Sequence, residues 1–367
     1  MSKRVFNFSP GPAVLPVEVL EEAQRAVVEL DGLGMSILEI SHRSKAFDAI
    51  LDESKALLSE LLGVPSGYSI VYLQGGSSLM FSIVAMNLLR GHDGGADYVV
   101  TGTWGSKALG EAKREGPARA IWDGKSHNYS YLPAAGELKF TPGAAYVHTT
   151  LNETIQGVEF PMDLDTGGIP LVSDMSSNFL SRPVDVSRYD MIYACAQKNA
   201  GIAGVTAVII RDDLLARVPK GLASMLDLRL QVENDSRYNT PPVFAVYVLM
   251  LVARWLKNDV GGLAKMATRN RDKAKLLYDI LDEHADFYRG HARSDSRSMM
   301  NVTWRLPSEE LEAAFLAEAK TRGLVDLKGH RSVGGIRSSI YNAMPRQGVE
   351  ALGTFMREFQ HKHAAAV

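Results

Sequence analysis

Met191-Ile192-Tyr193-Ala194-Cys195-Ala196-Gln197-Lys198-Asn199-Ala200-Gly201 opens as an apolar run and closes on a lysine set among small, uncharged neighbours. Its first half shows no polar alternation, which is how a strand covered on both faces reads. Working outward, comparable runs recur at residues 70–73, 98–101, 118–122, 145–149, 170–173 and 206–210, with turn residues and helical patterns between them. The run at 118–122 is the least regular, because Arg119 interrupts it. Such runs predict an α/β unit, a mostly parallel seven-stranded sheet wrapped by helices. Ligands of these sheets bind beyond the carboxyl ends of strands, and Lys198 falls at such an end.

At 367 residues the chain exceeds one ordinary domain, so a large domain plus a smaller one is expected. The texture changes near residue 261. Helical patterns at 271–284, 309–322 and 347–361 then alternate with strand-like runs at 299–305 and 335–341. We therefore divide the chain into an N-terminal arm (1–15) joining the small domain, a large domain (16–260) and a smaller α+β C-terminal domain (261–367). Thr240 followed by Pro241 and Pro242 reads as a helix start, with a capping hydroxyl and then prolines where no amide donor is needed. The segment that follows is apolar nearly all round, so it belongs in the core or at a subunit contact.

A net charge of −2 argues against nucleic acid or an anionic membrane as the main partner. The most apolar stretch, 243–253, is about half the length needed to span a bilayer. Residues 1–16 have no apolar core of signal-peptide length. The single cysteine, Cys195, excludes an internal disulfide and fits a reducing compartment. The chain reads as soluble and cytoplasmic, with no metal site.

Several strand ends carry chemistry. A lysine in a poorly charged pocket suits Schiff-base chemistry, since desolvation lowers its pKa and frees the amine; the plain alternative is a loop lysine with small neighbours. One strand earlier, Asp174 closes the run before Met175-Ser176-Ser177. A buried carboxylate there needs a cationic partner, and a pyridinium nitrogen is one; a helix-capping aspartate is the other reading. Gly75-Gly76-Ser77-Ser78 joins a strand to an apolar helix, and the amides of Ser77 and Ser78 suit a phosphate. Trp104 could stack on a flat heteroaromatic ring or be core, and Thr154 offers a hydroxyl just past another strand. His42-Arg43 and His330-Arg331, with Arg337 beyond, gather cationic groups in segments poor in acids. A small polyanionic substrate is what they would serve, unless each pair is only a solvated turn.

The segments Asn7-Phe8-Ser9-Pro10-Gly11-Pro12, Ser41-His42-Arg43, Asn152-Glu153-Thr154-Ile155, Ala196-Gln197-Lys198-Asn199, Tyr238-Asn239-Thr240-Pro241-Pro242 and Lys328-Gly329-His330-Arg331-Ser332-Val333-Gly334-Gly335-Ile336-Arg337 resemble the phosphoserine aminotransferases of class V. The resemblance runs from about residue 5 to 360. It implies the aspartate-aminotransferase-like fold (fold type I) and a homodimer with shared active sites. It also implies pyridoxal 5'-phosphate as cofactor, attached to Lys198, with Asp174 at the pyridinium nitrogen, Trp104 on the ring and Thr154 near the phenolic oxygen. Ser77, Ser78 and Gln197 would hold its phosphate, with Asn239 and Thr240 arriving from the partner subunit. His42, Arg43, His330, Arg331 and Arg337 would bind the substrate, His330 and Arg331 across the interface. Some relatives have an arginine in the phosphate loop where this chain has Ser77 and Ser78.

The reaction implied is the exchange of an amino group between O-phospho-L-serine and 2-oxoglutarate, with 4-phosphohydroxy-threonine a further candidate substrate. An alanine–glyoxylate type transaminase lacks a reason for the Arg- and His-rich tail. A cysteine desulfurase needs a mobile cysteine, whereas Cys195 lies on a strand and is expected to point into packing. A non-catalytic nucleotide-binding protein built on Gly75-Gly76 would be colourless when purified.

Overall fold

The computed structural model describes residues 4–363; residues 1–3 of the arm and 364–367 of the C-terminal unit lie outside the described residues. Strand β1 (Phe6–Asn7) leads through α1 (Val17–Val28) and α2 (Lys45–Leu62) to β2 (Tyr68–Leu73), α3 (Gly76–Leu88), β3 (Ala96–Val100), α4 (Thr103–Ala112) and β4 (Ala118–Asp123). Strands β5 (Val147–Thr150), β6 (Asn152–Glu153), β7 (Val158–Glu159), β8 (Leu171–Asp174), β9 (Met191–Cys195) and β10 (Thr206–Arg211) follow. Next come α5 (Leu228–Glu233), α6 (Val243–Trp255), α7 (Leu263–Glu283), β11 (Arg289–Gly290) and β12 (Asn301–Arg305). The last elements are α8 (Glu309–Thr321), β13 (Leu324–Val325), β14 (Ile336–Ser339) and α9 (Arg346–His363).

All seven apolar runs become strands of one sheet, in the order β2-β10-β9-β8-β5-β3-β4. β10 runs antiparallel to β2 and β9, and the other neighbours are parallel. The central strands are continuous in apolar residues because helices cover both faces: α3 and α4 on one side, α1, α2 and α6 on the other. β4 lies at the edge, which explains its broken pattern. There Arg119 reaches the fully buried carboxylate of Asp97 at 2.7 Å, and Asp97 also accepts from the Thr141 amide at 2.6 Å.

Helix α6 is apolar all round because residues 245–253 are buried within the chain itself. Its start differs from expectation. Thr240 caps nothing, and the helix begins at Val243, because residues preceding proline are driven out of the helical region and both Thr240 and Pro241 do so. Helix α7 begins eight residues before the pattern that announced it, packing Leu263 and Met266 against the sheet's helical layer.

A separate cluster of buried residues gathers α7, α8, α9 and β12 around Trp304 and Phe315. The stripe Val349, Leu352, Met356 and Phe359 of α9 is buried in it. The N-terminal segment joins this cluster: β1 pairs in parallel with β13, and Phe8 is fully buried there. Lys273 of α7 is buried and donates to the carbonyls of Ile340, Tyr341 and Met344 at 2.9, 2.7 and 3.1 Å. Burial pushes its pKa down to about 7, while the carbonyls favour its charged form. It pins the segment that follows β14.

Candidate active site

β8 and β9 are parallel neighbours, so their carboxyl ends deliver Asp174 and the turn bearing Lys198 to the same edge of the sheet. β5 and the short β6 bring Thr150 and Thr154 alongside, and α3 and α4 present their N-termini. These parts line one cavity of about 310 Å³, which includes Ser77, Ser78, Trp104, Thr154, Asp174, Gln197, Lys198, His330 and Arg337.

Lys198 Nζ donates to the hydroxyls of Thr154 and Ser177, both at 2.8 Å. It stands 5.8 Å from the centroid of the Trp104 ring. The amine is held by neutral oxygens rather than by a carboxylate, so it is oriented without being locked in an ion pair. Asp174 is buried, and its Oδ1 accepts from the Ser176 amide at 2.8 Å. Burial raises its pKa, while the Lys198 ammonium and the Ser176 contacts pull it back. Asp174 thus closes a local turn rather than capping a helix, and its carboxylate lines the cavity.

Gly75 and Gly76 take φ of +93° and +66°, a conformation that favours glycine and tucks the turn under α3. A Cβ on Gly75 would lie 2.4 Å from the Leu79 side chain. No side chain caps α3 and no acid occupies its first turn, so its amides present a positive end to the cavity. Ser77 Oγ lies 2.6 Å from Ser176 Oγ, tying the loop to the turn after Asp174.

Arg337 is 6% exposed, and its Nε has no partner. Burial presses its pKa down from the usual range. His330 also lines this cavity, where the turn 330–335 folds back toward Arg337 of its own chain. Burial and the charges of Arg337, Arg331 and Lys107 hold its pKa below the ordinary value, favouring a neutral ring. Cys195 is buried on its strand as expected, and as the last residue of β9 it also borders the cavity.

Five expected residues do not line the cavity. His42 and Arg43 sit in the turn before α2, and Arg43 borders a separate depression with Asp48, Asp52 and Arg237. Asn239 and Thr240 precede α6, and the Thr240 carbonyl accepts from Gln74 Nε2 at 2.9 Å. Arg331 is exposed. Several residues at the site were not anticipated. Ser177 and Pro10 line it, Lys107 Nζ lies 4.5 Å over the Trp104 ring, and Glu153 and Gln156 support it from behind. Glu153 could have been noticed as an acid directly after an apolar strand with no basic residue nearby.

Residues 5–352 match the family model of aminotransferase class V, so the chain belongs to that family. Within it the similarity is to the phosphoserine aminotransferases. That of Rhodopirellula baltica is 51% identical over 363 residues, 99% of this chain and 96% of that protein. The structure of phosphoserine aminotransferase from Bacillus circulans subsp. alkalophilus is 48% identical, with a TM-score of 0.96 over 99% of this chain and all of that one. The pyridoxal-phosphate-bound phosphoserine aminotransferase of Trichomonas vaginalis is 39% identical, with a TM-score of 0.91 over 96% of this chain. The cofactor of the family is pyridoxal phosphate. The cavity fits it, with a lysine amine, a buried carboxylate, a helix N-terminus for the phosphate, and two buried polar atoms without partners, Trp104 Nε1 and Thr150 Oγ1. No group of three or more metal-ligating side chains occurs among the described residues.

Proposed function

We propose that the chain moves an amino group reversibly between O-phospho-L-serine and 2-oxoglutarate, the pair whose products are 3-phosphohydroxypyruvate and glutamate, as a step of serine biosynthesis. The observation that carries this reading is the convergence of Lys198, Asp174, Trp104 and the α3 N-terminus on one cavity that also contains an unpaired buried arginine. Bound pyridoxal phosphate supplies an electron sink for the carbanion at the substrate's Cα. The chain supplies the rest. Lys198 Nζ holds the cofactor and, once released, moves the proton at Cα as general base and then acid. Asp174 keeps the ring nitrogen protonated. Trp104 covers the ring, the amides at Ser77 and Ser78 bind the phosphate with Gln197, and Thr154 orients Lys198. Arg337 binds the α-carboxylate in bidentate fashion.

In this reading the functional unit is a homodimer with shared sites. His42, Arg43, Asn239, Thr240 and Arg331 belong to segments outside the chain's own cavity, and they complete the partner's. The exposed apolar residues Leu33, Met35, Leu38 and Tyr238 near those segments support a second copy there. α6 is buried within the chain and adds nothing to the case. The division at residue 260/261 is part of the same reading, supported by Gly261 and Gly262, both at positive φ, and by the second buried cluster, although the first turn of α7 still packs on the large domain and the second cluster takes up α7 only from Ala274. A cytoplasmic location accords with the free thiol of Cys195. No helix among the described residues is long and apolar enough to cross a membrane.

The test is kcat/KM for phosphoserine and alanine on wild type, Arg43→Ala and Arg331→Ala. Losing two charge-assisted contacts of about 1.5–3 kcal/mol each predicts about two to four orders of magnitude lower kcat/KM for alanine than for phosphoserine. Both variants should lose phosphoserine activity far more than alanine activity. Equal use of alanine and phosphoserine by wild type overturns the phosphate pocket.

A further inference from the structure

Segment 152–157 joins several parts of the site. Asn152 Nδ2 donates to Asn301 Oδ1 at 2.8 Å, Thr154 receives the Lys198 amine, and Glu153 and Gln156 face the start of α4. α4 has no cap of its own, for Gly102 stands at its N-cap. Its first three amides are met instead by side chains from across the sheet edge. The Thr103 amide donates to Gln156 Oε1 at 3.3 Å, the Trp104 amide to Glu153 Oε2 at 3.0 Å, and the Gly105 amide to Glu153 Oε1 at 2.8 Å. Gln156 Nε2 returns a bond to Thr103 Oγ1 at 2.8 Å. A Cβ at Gly102 would lie 2.4 Å from Glu153 Cδ and 2.6 Å from Gln156 Oε1, so any larger residue there would push the two capping groups aside.

We infer that Glu153, with Gln156, is a positioning residue for the transamination site: it caps α4 from a distance and thereby fixes Trp104 where it covers the cofactor ring. This rests on the reading of Trp104 given above. A carboxylate at a helix N-terminus is stabilised by the dipole and by the free amides it satisfies. Here both carboxylate oxygens accept from amides, so the carboxyl plane sets the direction of the helix axis as well as its first turn. Burial and the nearby Asp174 raise the pKa of Glu153 to about 7, opposed by the amides of Gly105 and Trp104 and the charge of Lys198. No basic side chain forms a salt bridge with it among the described residues, so the helix end is its counter-charge.

The experiment is a double-mutant cycle on holoenzyme: wild type, Glu153→Gln, Trp104→Ala and the double variant. The readouts are the visible circular dichroism of the bound cofactor and its release rate, measured with alkaline phosphatase destroying whatever pyridoxal phosphate escapes. Glu153→Gln keeps the volume but leaves one amide facing an amide, so release should accelerate about tenfold and the dichroic band should shrink. In the Trp104→Ala background the same change should alter release less than about twofold, because its route of action is gone. Multiplying effects, or no effect of Glu153→Gln, overturn the inference while leaving Trp104 in its role. A Trp104→Ala variant that holds cofactor as tightly as wild type overturns the reading of Trp104 itself. Should Glu153→Gln fail to fold, Gln156→Met runs the same cycle, with about threefold faster release expected and the same cancellation.

Discussion

Replacing Arg337 by methionine separates binding from stability. Arg337 lies on β14, is 6% exposed and has an unpartnered Nε. Among the described residues no carboxylate lies within salt-bridge distance of it. Without substrate the folded chain therefore holds a desolvated cation, and each buried donor left unmet costs about 1–3 kcal/mol. Methionine fills similar space and removes that penalty. Counting only the one unmet donor, the variant should be more stable by about 1–3 kcal/mol, a rise in Tm of about 2–6 °C. Activity should move the opposite way. Loss of a bidentate contact worth about 3–6 kcal/mol lowers kcat/KM about 10²- to 10⁴-fold, alike for phosphoserine, glutamate and alanine. Calorimetry of holoenzyme with and without phosphoserine, beside steady-state kinetics, reads both. Wild type should gain Tm on adding phosphoserine and the variant should not. A variant that melts earlier than wild type, or that loses phosphoserine activity while keeping glutamate activity, refutes the assignment of Arg337 to the α-carboxylate.

Lys198→Ala should abolish turnover and the visible absorption band while remaining folded, and mixing it with Arg331→Ala should restore about a quarter of wild-type activity through hybrid dimers with one intact site. Mixtures as inactive as their components would argue against shared sites. Asp174→Asn should retain cofactor but lower kcat by about two to three orders of magnitude, and near-normal turnover would reduce Asp174 to a turn cap. His148 is buried against Tyr193, and desolvation holds its pKa down to about 3. An unfolded chain takes up that proton near pH 6.5, so stability from this group is present above 6.5 and lost as pH falls toward 3, by up to about 1.4 kcal/mol per pH unit. His148→Gln should flatten the fall in urea midpoint between about pH 6.5 and 4.5, and an unchanged slope would show that other groups govern acid lability.

The sheet was legible because strands buried on both faces leave runs with no alternation, and all seven strands carried one. The single irregular run belongs to the edge strand, where Arg119 exists to neutralise Asp97. The meeting of Lys198 and Asp174 at one sheet edge was legible for a related reason, since Asp174 ends its strand, Lys198 comes three residues after its own, and the parallel order brings neighbouring ends together. What was not legible involves partners distant in sequence. Glu153 caps a helix that starts fifty residues earlier at Thr103, and local capping rules do not see such a pair. The carbonyl cage of Lys273 is likewise invisible, because carbonyls have no letter in a sequence. Thr240 was misjudged as a cap because a proline signal has two meanings: it permits the first turn of a helix, and it forbids the turn to begin just before it.

The unsatisfied atoms of the site sort its residues in a way the sequence alone does not. Lys198, Glu153, Thr154 and Ser77 all have partners inside the chain, so they are held in place by the fold. Trp104 Nε1, Thr150 Oγ1 and Arg337 Nε are buried without partners, and their residues all border the same cavity. Each such atom costs about 1–3 kcal/mol to leave unmet, and since eleven others lie elsewhere among the described residues, what marks these three for a ligand is that their residues share one cavity of about 310 Å³. Two of the three stand near the lysine and the carboxylate, where the cofactor fits, while Arg337 borders the His330 side, where the amino acid must approach. The stability gain expected of Arg337→Met follows from this division: a residue that only supported the fold would weaken the chain on removal, and one reserved for substrate relieves it.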